Sequence, residues 1–144
     1  MCIEKKIISR AEAETENCGS ALAAELPRGS VVLLRGDLGA GKTVFARGFA
    51  RGLGVMEYVS SPTYTIVQEY ELPSGGRLYH LDLYRISGVA AALDFGVDEF
   101  LSDRNSYSLV EWPERLETLL PENAVTVDIR HIGESEREIH ICKQ

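Results

Sequence analysis

The densest chemistry in the sequence lies in GDLGAGKT, residues 36–43. It matches G-x-x-x-x-G-K-[ST], a loop whose glycines let successive backbone N–H groups turn inward as a nest for phosphate oxygens. A helix opening at Lys42 adds the positive end of its dipole. In that arrangement Lys42 reaches β- and γ-phosphates, and the Thr43 hydroxyl is placed for Mg²⁺. The candidate phosphate-binding residues are Gly36, Asp37, Leu38, Gly39, Ala40, Gly41, Lys42, Thr43 and Val44.

Such a loop works with a carboxylate at a neighbouring strand end. Asp82 closes LYHLD and Glu111 closes SLVE. Either can hold metal-bound water while the other orients the attacking water or senses the γ-phosphate; a surface ion pair is the alternative for each. Thr63, in SPT, is a candidate switch hydroxyl for Mg²⁺ and γ-phosphate, or a turn residue fixed by Pro62. There is no Asn-Lys-x-Asp for guanine. Trp112 suits a purine stack or a core position.

These groups need elements to hold them. Ser9 and Glu12 have capping-box spacing, which predicts a helix over residues 11–26. Residues 31–34 are all apolar, as in a strand buried on both faces. Residues 42–53 read as a helix, with Phe45, Phe49 and Leu53 on one face and Arg47 and Arg51 on another. Residues 64–72 alternate with period two, 73–76 turn, and 77–84 form a second strand, giving a hairpin. A helical stretch is expected over 89–101, a buried strand over 108–110, a helical turn or two over 114–120, and a closing hairpin from 124–132 and 137–142. Residues 103–107 are polar for the approach to a strand. The fold class is α/β: one domain over residues 1–144, with a mixed sheet, a parallel core and added antiparallel strands.

Composition narrows the function further. The 144 residues carry a net charge of −7, with +2 in residues 1–52 and −9 in residues 53–144. An acidic chain is ill suited to gripping a nucleic-acid backbone directly. No apolar run approaches the roughly 20 residues of a membrane helix, and MCIEKKIISR has no apolar leader core. Cys2, Cys18 and Cys142 are too few and too scattered for a disulfide framework or a zinc knuckle, which suits a reducing cytoplasm. His80, His131 and His140 lack metal-site spacing and read as core or surface residues.

GDLGAGKT at 36–43, SPTY at 61–64, HLDLYR at 80–85 and EWPERL at 111–116 resemble, in order and spacing, the TsaE (YjeE) family of bacterial ATPases of tRNA threonylcarbamoyladenosine biosynthesis. The P-loop is generic; HxDxYR followed by EW is far more specific. The resemblance spans nearly the whole chain. It implies a P-loop domain that binds ATP and Mg²⁺ and works with TsaB and TsaD, the latter modifying adenosine 37 of tRNAs that read ANN codons. It implies an ATP-driven switch that resets the TsaB–TsaD complex. Carried onto this chain, Lys42 is the phosphate lysine, Thr43 the Mg²⁺ hydroxyl, and Thr63 part of a switch-like segment. Asp82 is the Walker B-type carboxylate, Glu111 a second acidic group near the γ-phosphate and metal, and Trp112 a neighbour of the nucleotide. Lys42, Asp82 and Glu111 are thus the expected catalytic set. Arg85 matches the motif without an assigned role. A small-molecule kinase is the second reading, disfavoured by the lack of an Arg-rich lid insertion, and a passive nucleotide-binding module is the third.

Overall fold

The structure is a computed structural model that describes residues 3–37 and 39–143; Cys2 and Leu38 lie outside them. Among the described residues seven strands form one mixed sheet: β1 (Ile3–Ser9), β2 (Val31–Arg35), β3 (Val67–Glu71), β4 (Arg77–Asp82), β5 (Tyr107–Glu111), β6 (Val125–His131) and β7 (Arg137–Lys143). Their spatial order is β1-β7-β6-β2-β5-β4-β3. β6, β2, β5 and β4 run parallel, as expected of the core, and β3 and β7 add to it antiparallel.

Two apolar layers explain the run at 31–34. Val32 and Leu34 face helices α1 (Glu12–Glu25) and α2 (Lys42–Gly52), whereas Val31 and Leu33 face α3 (Val89–Phe95), α4 (Val97–Leu101) and a 3₁₀ helix, Pro113–Leu119. On α2, Phe45 and Phe49 are fully buried one turn apart, as their spacing requires. The two helices on that side approach until their backbones touch. A Cβ at Gly48 would lie 1.9 Å from the Glu16 carbonyl oxygen, and one at Gly19 would lie 2.3 Å from that of Phe45. Arg51 pairs with Glu16 across the same seam.

Several boundaries differ from the sequence reading. β1 carries no alternation, because Lys5-Lys6 and Ile7-Ile8 interrupt it; its conformation comes from pairing with β7 along its whole length. Ser9 ends that strand and is no cap. Its hydroxyl bonds the Ala11 carbonyl at 2.9 Å and shares a hydrogen with Thr15 Oγ1 at 2.7 Å, and the helix opens uncapped at Ala11. The expected strand over 64–72 begins only at Val67, since Ile66 takes φ 70° and residues 63–65 form a turn. β4 stops at Asp82 because Oδ1 of that residue accepts the Tyr84 N–H at 3.0 Å. The 89–101 helix divides at Gly96, whose φ is 90°. The polar segment 103–106 is a turn bonded to itself. Asp103 accepts from Tyr79 Oη and Ser106 Oγ, each at 2.8 Å, and from the Asn105 N–H at 3.0 Å. Those bonds, the Tyr79 one foremost, hold its carboxyl below the usual range. Its stabilisation is therefore present above the ordinary carboxyl pKa and lost as pH falls below it.

Gly48→Ala is expected to lower stability by at least about 2 kcal/mol, because the new methyl meets backbone that cannot rotate away. A denaturant midpoint equal to the parent's would show that α1 and α2 are not in backbone contact.

Candidate nucleotide site

The parallel register places the chemistry. Leu34 pairs with Glu111, and Glu111 with Asp82, so one rung crosses β2, β5 and β4 at their carboxyl ends. The loop leaving β2 and both carboxylates therefore open on the same edge, where open α/β sheets bind ligands. A cleft of about 920 Å³ lies there. Gly39, Gly41, Lys42, Thr43, Val44, Thr63, Asp82, Glu111 and Trp112 all line it. Gly36 and Asp37 instead border a shallower polar depression behind the loop, and Ala40 is buried. Leu38 lies outside the described residues.

The loop is held from behind. A Cβ at Gly36 would come 2.6 Å from the Ile129 carbonyl oxygen, so the loop leaves β2 against the β6 backbone. His131 Nε2 donates to the Gly39 carbonyl at 2.8 Å and Arg137 Nε to that of Ala40 at 2.9 Å. Gly41, with φ 111°, stands at the N-cap of α2 without a side-chain cap. The first N–H groups of α2 are thus left for a ligand.

Lys42 is 7% exposed and makes no ion pair among the described residues; its Nζ lies 4.6 Å from the centroid of the Trp112 ring. Trp112 has φ 58°, a left-handed conformation that costs a bulky residue about 1–3 kcal/mol. That turn, immediately after Glu111, sets the indole between Lys42 and Tyr84, whose ring lies 5.0 Å away at a 57° tilt.

The two carboxylates differ in their bonding. Asp82, 2% exposed, has both oxygens engaged: Oδ2 accepts from Thr63 Oγ1 at 2.9 Å and Ser61 Oγ at 3.1 Å, and Oδ1 from the Tyr84 N–H. Glu111, 3% exposed, has Oε2 bonded to His80 Nε2 at 2.7 Å, and its Oε1 has no hydrogen-bond partner among the described residues. His80 is a core residue, as expected, but one attached to the cleft. Arg85 stands apart from the cleft wall, its guanidinium 4.5 Å from the Tyr64 ring centroid.

The far wall was not legible in the sequence. Arg10, Glu12 and Thr15, at the junction of β1 and α1, lie beside Glu134, Ser135 and Arg137 of the β6–β7 hairpin and line the cleft with them. Neither segment carries a motif. Only the pairing of β1 with β7 brings them together. Ser61 and Tyr84 also line the cleft, and both flank motif residues.

The family model described as "Threonylcarbamoyl adenosine biosynthesis protein TsaE" matches residues 9–139. The chain belongs to the TsaE family. It is 38% identical over 139 residues to the Treponema pallidum protein named tRNA threonylcarbamoyladenosine biosynthesis protein TsaE, covering 95% of this chain and 99% of that one. It is 43% identical over 129 residues to the Bacillus subtilis protein of the same name, covering 88% of this chain and 77% of the other. The crystal structure of Bacillus subtilis YdiB superposes with a TM-score of 0.82 at 36% identity, over 99% of this chain and 87% of that one. The mixed P-loop sheet expected from the sequence is thus the fold of this TsaE-family chain.

Arg137→Ala is expected to cost about 1.5–3 kcal/mol, the range for a hydrogen bond from a charged donor. It should also speed amide exchange in residues 39–42. Unaltered exchange there would mean that the hairpin does not hold the loop.

Proposed function

We propose that this chain binds ATP with Mg²⁺ in the cleft, hydrolyses it, and drives a switch on a TsaB–TsaD complex that threonylcarbamoylates adenosine 37 of tRNAs reading ANN codons. The observation that carries the reading is the meeting of an uncapped α2 N-terminus, Lys42, Thr43, Thr63, Asp82 and Glu111 in one cleft. A passive phosphate nest would need only the first two.

The donor set fits both groups. Backbone N–H groups and a lysine with no ion pair among the described residues suit a triphosphate; a threonine hydroxyl and a carboxylate oxygen with no partner among those residues suit Mg²⁺, which is ordinarily held by one or two carboxylates plus phosphates and water. Bound Mg²⁺ would supply charge neutralisation at the β- and γ-oxygens. Lys42, now over the Trp112 ring, would hold those oxygens. Thr43 and Glu111 Oε1 would hold the metal, and the bonding pattern favours Glu111 over Asp82 for that role. Asp82 holds the Ser61–Thr63 segment, so that Thr63 can exchange its bond to Asp82 for one at the γ-phosphate end. Arg10, Glu12 and the 134–137 hairpin would then be left for the nucleoside.

The partner protein surfaces, not this acidic chain, hold the tRNA. The setting is the cytoplasm; no described helix is long and apolar enough to cross a membrane. Of the two arginines on the cleft wall, Arg137 is bonded to the loop and Arg10 faces Glu136 at 3.8 Å. Neither is posed as an arginine finger, which is worth about 10³–10⁵ in rate.

Slow hydrolysis by the chain alone and acceleration by TsaB–TsaD are expected, with no phosphoryl acceptor required. Fast turnover by the isolated chain, or turnover that needs a small-molecule acceptor, would refute the switch. Lys42→Ala should lower turnover by about 10²-fold or more, the scale for losing one transition-state donor. Parental turnover in that variant would mean that the phosphate site is elsewhere.

A further inference from the structure

His80 is the anomaly of the sheet. On the face toward α2, the rung behind Glu111 runs His80, Leu109, Val32, and all three are 0% exposed. Two are aliphatic, as a core position asks; the third is an imidazole. Its Nδ1 is buried and has no hydrogen-bond partner among the described residues. A buried polar atom left unpaired is unfavourable, so packing alone does not account for the ring. Its one polar contact among the described residues is Nε2 to Glu111 Oε2 at 2.7 Å.

Resting on the reading of the cleft as a Mg²⁺–nucleotide site, we propose that His80 is a positioning residue that sets the rotamer of Glu111 and aims Oε1 into the cleft. A glutamate has three rotatable bonds, and its carboxylate is useful at a metal only if held in one orientation. The ring is rigid, rooted in β4, and enclosed on every side. With Nε2–H donated to Oε2, the carboxylate is pinned by one oxygen, and the other is left for the ligand side. This is the usual work of a residue behind a metal-side carboxylate, whose loss ordinarily costs about 10–100-fold in metal affinity or activity. Asp82 needs no such partner, since Ser61, Thr63 and the Tyr84 N–H already fix both its oxygens.

The test compares His80→Leu, which keeps bulk and removes the donor, with His80→Gln, whose terminal amide reaches where Nε2 lies. Trp112 fluorescence reports ATP binding without metal, and a Mg²⁺ titration of the ATP complex reports metal affinity. Expected for His80→Leu are metal-free ATP binding within about twofold of the parent and a Mg²⁺ affinity and kcat lowered about 10–100-fold, with KM for ATP little changed. His80→Gln should recover most of both. A folded His80→Leu with parental Mg²⁺ affinity and kcat overturns the proposal. If His80→Leu fails to fold, His80→Asn, too short to reach Glu111, takes its place; equal Mg²⁺ affinity in the Asn and Gln variants overturns the proposal. The parent protein separates the two readings: no Mg²⁺-linked ATP binding there refutes the site itself, whereas normal parental binding with insensitive variants refutes only the role of His80.

Discussion

The rung Leu34–Glu111–Asp82 is the constraint on which the cleft depends. In a parallel sheet the register of each strand fixes where its last residue emerges. Were β5 to slip by one residue, Glu111 would turn to the opposite face, among the side chains packed on α3 and the 3₁₀ helix. The register is held by apolar residues on both faces, Val31 and Leu33 on one side and Val32 and Leu34 on the other, so a slip would misplace all of them. The core thus specifies the positions of two carboxylates that contribute nothing to it.

A second constraint comes from α1. It carries none of the recognisable motif residues, yet it lies against α2 at backbone distance through Gly19 and Gly48. The helix that presents Lys42 and Thr43 is clamped between sheet and α1. Its amino end, where the ligand would bind, is also the end that the loop bonds of His131 and Arg137 hold. Rigidity at that point is what a phosphate nest requires, since N–H groups that must be ordered on binding bind less well.

The parts of this architecture visible in the sequence are those written in neighbouring residues. Strand, glycine loop and helix at 31–53 follow one another with local signals, and the carboxylates at 82 and 111 end recognisable strands. What escaped is set by contacts between distant residues. Alternation over 64–72 continues past the true strand because the hydroxyls of Ser61 and Thr63 turn toward Asp82, a partner that sequence pattern does not reveal. β1 has no strand signature because an edge strand with Lys5-Lys6 and Ile7-Ile8 takes its form from its neighbour. Arg10 and Arg137 have no motif, and only the assembled sheet shows that they share a cleft. His80 was legible as a core histidine, but its bond to Glu111 depends on the β4–β5 register.

The pairing of β1 with β7 has a consequence for biosynthesis. A ribosome delivers the phosphate loop early and the strands that brace it last. Until β7 has emerged, Arg137 cannot hold the Ala40 carbonyl, β1 has no partner, and Arg10 lacks the hairpin that completes its wall. A nascent chain carrying a complete GDLGAGKT motif therefore lacks a formed binding cleft, and nucleotide cannot stabilise it during translation. Competence arrives late, as a property of the completed sheet rather than of its most recognisable segment.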